Sequence, residues 1–238
     1  MGRSEVTDRV ARMWFPGADN NAFLIRAGRE TTLVDCGPPS GMASLVKAVR
    51  VGGGRVDEVR HVVLTHCHTD HTGNLASVAA AAGITVYGHP MDAEIVRDGA
   101  ERPRGVANRL LGRIMLAMAG ASSRASAAPV HVDVADGKEL DVAGGLRCVH
   151  TPGHTAGHVS YLWPEGRVLF VGDAATNMFR RLDVAPINED DAASRKSFAT
   201  LAELEFDVAC FGHGSPIRGR AADRFRRRLD HVASRGRR

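Results

Sequence analysis

Short apolar segments alternate with longer amphipathic segments along the 238 residues of this chain. The short segments are rich in valine, leucine and isoleucine and are bounded by turn-forming residues, which is the pattern of β-strands. They predict strands at residues 22–26, 31–35, 59–65, 85–88, 131–134 and 139–142. The longer segments repeat apolar residues at helical spacing and predict helices at residues 41–51, 74–82, 192–204 and 221–234. This succession is typical of the α/β fold class.

Four of the apolar segments lead into histidine or aspartate residues. The first, Val62 to Leu64, is followed closely by a cluster of three histidines and one aspartate. Three later segments each lead through a glycine to one further residue of this kind. Glycine lets the backbone turn sharply and approach a site closely. The seven candidate ligands are His66, His68, Asp70, His71, His154, Asp173 and His213.

The types and spacing of these residues indicate a metal site. His66 and His68 are two positions apart, so both can point the same way as the chain leaves its strand. Imidazole nitrogens and carboxylate oxygens are ligands that zinc, iron and manganese accept. A histidine-rich turn can also be a plain polar loop. We favour the metal site because four strand ends on one sheet edge would bring all seven ligands together.

In order along the chain, the seven residues are His66-x-His68-x-Asp70-His71, then His154, Asp173 and His213. This order and spacing resemble the motif of the metallo-β-lactamase superfamily of binuclear metallohydrolases. The resemblance begins at residues 21–25 and 32–37 and ends near Ile217, so it covers nearly the whole chain. It implies a four-layer αββα sandwich, formed by residues 1–238 as a single domain.

The resemblance also implies a role for each ligand. One divalent metal ion is held by His66, His68 and His154. The second ion is held by Asp70, His71 and His213. Asp173 bridges the two ions, which share a hydroxide that attacks a carbonyl carbon, while Asp70 also orients this nucleophile. Zinc is the first expectation for both ions, and iron and manganese are the alternatives.

Two further residues are expected to support the centre without binding metal. Asp35 resembles an early aspartate of the family that orients the metal-binding loop. His158, four residues after His154, has three open interpretations: a partner of a ligand, a donor to the developing oxyanion, or a buried structural histidine. Cys67 is interpreted as a packing residue, and His89 as a surface residue.

Residues 98–129 are predicted to form a helical, lid-like insertion. Apolar residues recur at helical spacing within residues 105–119, and Leu111 and Met115 belong to this stripe. Two interpretations stay open. The helix packs on the sandwich or forms a homodimer contact, or it is a lid that receives an apolar acyl group. Trp14 and Phe15 likewise either line the cleft or pack in the core.

Composition limits which partners and which cellular location we expect for the protein. The net charge of +4 is modest, and the basic C-terminal stretch has little aromatic content, so no nucleic-acid partner is expected. No apolar run approaches the length of a membrane span, and no membrane partner is expected. The four cysteines form no Cys-x-x-Cys pair, and no secretory segment is recognised at the N-terminus. We expect a cytoplasmic protein with a small-molecule substrate.

The function implied by the resemblance is hydrolysis of an ester-like bond, in either a lactone or a thioester. Related acyl-homoserine lactonases place a tyrosine near the carbonyl, and this chain has only Tyr87 and Tyr161, neither in an obviously matching position. One alternative is a mononuclear iron persulfide dioxygenase of the same superfamily. Others are a β-lactam or phosphodiester hydrolase and a non-catalytic module that has kept the fold.

Overall fold

The computed structural model describes residues 4–15, 19–28, 30–39, 42–51, 54–81, 83–100 and 125–234. Within these residues one mixed sheet has strands in sequence order, antiparallel from β1 to β4 and parallel from β4 to β7. Its strands are β1 (Ser4–Glu5), β2 (Val10–Phe15), β3 (Asn20–Ala27), β4 (Glu30–Val34), β5 (Val59–Val63), β6 (Thr85–Gly88) and β7 (Val132–Asp133).

The second sheet is also mixed, and its strand order is β13-β12-β11-β10-β9-β8. Only β11 and β12 pair in parallel; the other described pairs are antiparallel. The strands are β8 (Glu139–Leu140), β9 (Leu146–His150), β10 (Val159–Trp163), β11 (Val168–Gly172), β12 (Val208–Phe211) and β13 (Ile217–Arg218).

The described helices are α1 (Met42–Val51), α2 (Thr69–Thr72), α3 (Leu75–Ala81), α4 (Pro90–Asp98), α5 (Asp191–Ala202) and α6 (Ala221–Ser234). Local sequence explains where two of them begin and end. Pro90 opens α4, where a missing N–H costs nothing, and Gly99 ends it with left-handed backbone. The Asp190 side chain accepts hydrogen bonds from the Ala192 and Ala193 N–H groups and so caps the start of α5.

Three apolar clusters separate the two sheets and the helices into four layers. One cluster joins the first sheet to α1, α3 and α4, a second lies between the sheets, and a third joins the second sheet to α5 and α6. Alternation along β3 produces this division, because Leu24 faces the helices while Phe23 and Ile25 face the other sheet. The αββα sandwich is therefore confirmed.

Predicted element boundaries differ from the observed ones by a few residues. The strand expected to reach residue 65 ends at Val63, because the Thr65 N–H donates to the Asp35 side chain instead of continuing the ladder.

Residues 101–124, which hold the expected helix with Leu111 and Met115, lie outside the described residues. The lid and homodimer interpretations stay predictions. Within the described part of the chain, no helix has the length and apolar character needed to cross a membrane.

Candidate metal centre

The seven predicted ligands lie together at one edge of the sandwich. His66 and His68 follow β5, while Asp70 and His71 belong to the short helix α2. The remaining three residues follow β9, β11 and β12. Their potential ligand atoms form three overlapping groups, within each of which all atoms lie within 4.8 Å of one another. The groups are His66–His68–His154, His66–His71–Asp173 and Asp70–His71–His213.

The first group consists of three buried imidazoles. His68 Nδ1 lies 3.0 Å from His154 Nε2, and the His66 ring is 4.7 Å from the His68 ring, centroid to centroid. His154 Nδ1 lies 2.8 Å from the carbonyl oxygen of Ile187. Because a carbonyl can only accept, His154 carries its proton on Nδ1 and keeps the Nε2 lone pair for the centre.

Asp173 lies between the His66–His68–His154 group and the Asp70–His71–His213 group. Its Oδ2 is 3.5 Å from His154 Nε2 and 3.3 Å from His213 Nε2, while its Oδ1 is 3.8 Å from His71 Nε2. Asp70 Oδ2 is 3.2 Å from His213 Nε2 and 3.7 Å from His71 Nε2. One carboxylate thus faces both groups, which is the arrangement that a bridging ligand requires.

His66 Nε2 and Asp173 Oδ1 are buried ligand atoms that have no hydrogen-bond partner among the described residues. Buried polar atoms are nearly always paired, and leaving one unpaired is costly. Both atoms belong to the same group of potential ligands. The donor set and these two atoms therefore fit divalent metal ions.

Asp35 holds Thr65 and the ring of His71 in place. Its Oδ1 accepts the Thr65 N–H at 2.8 Å, and its Oδ2 accepts the Thr65 hydroxyl at 2.7 Å. The same Oδ2 lies 2.9 Å from His71 Nδ1, which points His71 Nε2 towards Asp70 and Asp173. These contacts fit the supporting role expected for Asp35.

His158 is a buried structural partner of the Asp173 backbone. Its Nε2 accepts the Asp173 N–H at 2.9 Å, and its Nδ1 lies 2.8 Å from the Thr151 hydroxyl. Because Nε2 is an acceptor, the ring proton is on Nδ1 and points at the Thr151 hydroxyl. The oxyanion-donor interpretation of His158 is therefore wrong.

Asp92 was not predicted, yet it ties two ligand loops together. Its Oδ2 accepts the Cys67 N–H at 2.9 Å and the Thr155 hydroxyl at 2.7 Å. Its Oδ1 accepts the Gly157 N–H at 2.9 Å. Cys67 lies between two ligands, and Thr155 follows His154 directly. The sequence offered one signal. Asp92 is the third residue of α4, and α4 follows β6, the next strand after the ligand-bearing β5.

We expect Asp92→Asn to weaken metal binding by roughly 10- to 100-fold while the fold is retained, a range typical of residues that orient ligands. An amide would set an N–H₂ group against a backbone N–H donor. A competitive zinc titration against a chelator measures the change. Glu94→Gln, on the exposed side of the same helix, is the matched control. Wild-type affinity in Asp92→Asn would contradict this role.

The centre contains histidines whose pKa values move in opposite directions. Burial alone lowers the pKa of His71, but the Asp70, Asp173 and Asp35 carboxylates outweigh burial and raise it to about 9. For His213 burial is likewise outweighed by carboxylates, and its pKa lies well above the usual value. Burial lowers the pKa of His66 well below the usual value, and neighbouring histidines lower it further.

The metal-free protein is therefore expected to be most stable near the ordinary histidine pKa of about 6.5. The raised pKa of His71 contributes stability that is present below about pH 6.5 and is lost as the pH rises through about 9. His66 stays neutral in the folded chain, so stability also falls as the pH drops below about 6.5. Thermal unfolding across this pH range measures the profile, and a maximum near pH 9 would contradict it.

Other candidate residues lie outside the centre. The Tyr161 hydroxyl donates to the Leu64 carbonyl at 2.8 Å, and the Tyr87 hydroxyl lies 3.3 Å from His61 Nδ1. Phe15 is buried in the core against the helices, which decides between its two interpretations. Cys67 packs in the same cluster, as predicted. His89 is only partly exposed.

His89 lies at the surface, as predicted, and its side chain has local contacts there. Its side chain accepts the Met91 N–H at the start of α4, and its ring stacks on His150 with the centroids 4.3 Å apart. Trp14 is partly exposed, and its Nε1 donates to Asp19 Oδ1 at 2.9 Å.

Two sheets between helices, with a buried centre of histidines and aspartates at one edge, define a metal-binding αββα sandwich protein. Residues 16–213 match the family model described as the metallo-beta-lactamase superfamily. The chain therefore belongs to the metallo-beta-lactamase superfamily.

Curated relatives carry hydrolase-type names. The chain is 28% identical over 222 residues to the lactamase-like protein aptB of Emericella nidulans, covering 90% of this chain and 59% of the relative. It is 32% identical over 149 residues to a hydroxyacylglutathione hydrolase of Acidiphilium cryptum, covering 62% and 46%. It is 28% identical over 199 residues to the thioesterase pkgB of Emericella nidulans, covering 83% and 46%. The chain spans about half the length of these relatives.

A solved structure agrees with the fold. A subclass B3 metallo-beta-lactamase isolated from a soil metagenome library matches with a TM-score of 0.72 and 18% identity. The match covers 99% of this chain and 95% of that one. At this identity the likeness supports the fold alone.

Proposed function

We propose that this chain is a cytoplasmic, metal-dependent hydrolase that cleaves the thioester bond of a small molecule, with a lactone as the second candidate substrate. The observation that carries the proposal is the position of Asp173 between two groups of ligands, with Asp173 Oδ1 and His66 Nε2 buried and without a hydrogen-bond partner among the described residues. Two divalent ions, held as the sequence analysis assigns, would use every one of these atoms.

Metal ions at this centre would supply Lewis acidity towards the carbonyl oxygen and a water molecule whose pKa is lowered towards neutrality. The protein contributes position and charge. The Asp70 side chain is 19% exposed, more than those of its ion-pair partners His71 and His213, so it reaches the opening of the centre. Burial works against the charge on Asp70, but His71 and His213 hold its pKa well below the usual value.

A carboxylate that stays ionised can accept a hydrogen bond from the attacking water and orient it. This is the role we propose for Asp70 beside its role as a ligand. Asp35 and Asp92 act as positioning residues, since one holds the His71 ring and the other holds the loops on either side of the centre. Together they keep the ligands in place while the substrate binds.

A thioester is favoured over a lactone for two reasons. A thiolate is a stable leaving group near neutral pH, because a free thiol has a pKa of about 8.5 and so needs no strong general acid. The described residues of the centre are all proposed ligands or their supports, which leaves no separate acid. Relatives named hydroxyacylglutathione hydrolase and thioesterase favour the same choice. Neither tyrosine reaches the centre, which disfavours the homoserine lactonase reaction.

A substrate panel tests the proposal. Zinc-loaded protein is assayed with a thioester and a lactone of the same acyl group and with a β-lactam. We expect turnover of the thioester to be highest, and His66→Ala to abolish it because that ring is a buried ligand. His131→Ala, an exposed histidine outside the centre, is the control. Thioester turnover by His66→Ala at the wild-type rate would overturn the mechanism.

A further inference from the structure

A shallow groove lined by five arginines lies on the outer side of the second sheet. Its volume is about 310 Å³, and Leu182 forms its apolar part. Two of the arginines come from the loop after β11, and three come from α6. The five are Arg180, Arg181, Arg224, Arg227 and Arg228.

The three helical arginines share one face of α6. Arg224, Arg227 and Arg228 are spaced by three and four positions, so their side chains lie together. Arg226 lies on another face and pairs with Glu205 and Asp223. In their ion pairs Glu205 and Asp223 contact Arg226 rather than an arginine of the groove.

The groove carries a large excess of positive charge. Arg228 pairs with Asp183, with 2.9 Å between Arg228 Nη2 and Asp183 Oδ2. Among the described residues, the other four arginines of the groove have no carboxylate within ion-pair distance. Five like charges in one small concave surface repel one another, and an anion bound there would relieve this repulsion.

The loop that carries Arg180 and Arg181 begins at the proposed metal centre. It leaves Asp173, and the Asn177 N–H then donates to the His213 carbonyl at 3.2 Å. Thr176 and Asp183 close the loop through two backbone hydrogen bonds of 2.8 and 3.1 Å. One short loop therefore joins the ligand residues Asp173 and His213 to the groove.

We propose that this groove binds the phosphate groups of a phosphorylated carrier, which forms the thiol part of the thioester substrate. The carrier's place in the substrate rests on the proposed function, whereas binding of phosphate by the groove does not. Guanidinium groups match phosphate oxygens through paired hydrogen bonds, which is why arginine is favoured at phosphate sites.

Two other anions fit the groove less well. Glutathione carries an ammonium group beside its carboxylates, and five guanidinium groups would repel that ammonium. Nucleic acid is bound along extended basic stripes. This groove is instead small and concave, with a volume at the lower end of the range for small-molecule sites.

Calorimetric titration of the metal-loaded protein with inorganic pyrophosphate tests the proposal. The double variant Arg224→Gln/Arg227→Gln is expected to bind pyrophosphate about tenfold more weakly, since it loses two charge-assisted contacts. Both side chains are exposed, so the fold should tolerate the change. Arg60→Gln, an exposed arginine on the first sheet, is the control and should bind as the wild type does.

Steady-state kinetics provide the second readout. Two thioesters of one acyl group are compared, one on a phosphorylated thiol and one on an uncharged thiol. The kcat/KM for the phosphorylated thioester, divided by that for the uncharged one, is expected to fall about tenfold in the double variant. The fall should come from a higher KM for the phosphorylated thioester rather than from a lower kcat. If neither thioester is cleaved while pyrophosphate binding still depends on the arginines, the groove assignment stands and the proposed function fails.

Three results would overturn the groove assignment. The first is wild-type protein that binds no pyrophosphate. The second is equal binding by wild type and the double variant, which would place pyrophosphate elsewhere, for example on the metal ions. The third is tighter arginine-dependent binding of glutathione or of a single-stranded oligonucleotide than of pyrophosphate.

Discussion

Asp173→Asn is expected to lose roughly 10³-fold or more of kcat/KM and to bind its second metal ion much more weakly. The amide has nearly the same shape as the carboxylate, so the fold should survive. The Asp173 N–H to His158 hydrogen bond is unchanged because it involves the backbone. What is lost is the negative charge that faces both ligand groups at distances of 3.3 to 3.8 Å.

Kinetics and elemental analysis of the same preparation measure both effects. Asp207→Asn provides the control, because Asp207 pairs with Arg167 on the surface just before β12 and is about half exposed. Exposed ion pairs contribute little to stability, so this variant should behave as the wild type does. A metal-replete Asp173→Asn protein with wild-type turnover would rule out the bridging role of Asp173.

Gly212→Ala is expected to lower kcat/KM on the order of 10²-fold, because small displacements of catalytic groups have effects of this size. A Cβ atom at this position would overlap Asp173 Oδ1 and lie 2.7 Å from His71 Cε1. The Asp173 carboxylate would have to move out of its place between the ligand groups. Thermal unfolding is expected to show a loss of about 1–3 kcal/mol as well, since the position is tightly packed.

Gly83→Ala distinguishes this local effect from a general cost of adding a methyl group. Gly83 is exposed, and a Cβ there would meet no atom within 4 Å. Its kinetics and metal content should match those of the wild type. If Gly212→Ala also retained full metal content and turnover, the position of the Asp173 carboxylate could not be as important as the geometry implies.

The ligands could be predicted from the sequence because each belongs to a local pattern. His66, His68 and Asp70 follow an apolar strand at fixed spacing, and Asp173 and His213 follow strands that pair in parallel and therefore end at the same edge. Strand polarity and spacing are sufficient to bring such residues together. The same strands and helices predicted the α/β class, whereas the four-layer sandwich was implied by the resemblance to the superfamily.

The supporting contacts could not be predicted in the same way. Two of the contacts of Asp92 are to the backbone N–H groups of Cys67 and Gly157, and backbone groups carry no sequence signal. The role of His158 depended on which of its nitrogens meets the Asp173 N–H, which spacing does not determine. The arginine groove likewise joins residues more than forty positions apart, and only the packing of α6 against the loop after β11 creates it.

Metal content measured together with turnover tests the central claim most directly. Metal-free protein is titrated with zinc while thioester hydrolysis is followed, and the loaded chain and the freshly purified chain are both measured by elemental analysis. A binuclear hydrolase predicts activity that rises until about two ions are bound per chain. A freshly purified chain that holds close to one iron, and that consumes oxygen with a persulfide without cleaving the thioester, would contradict it.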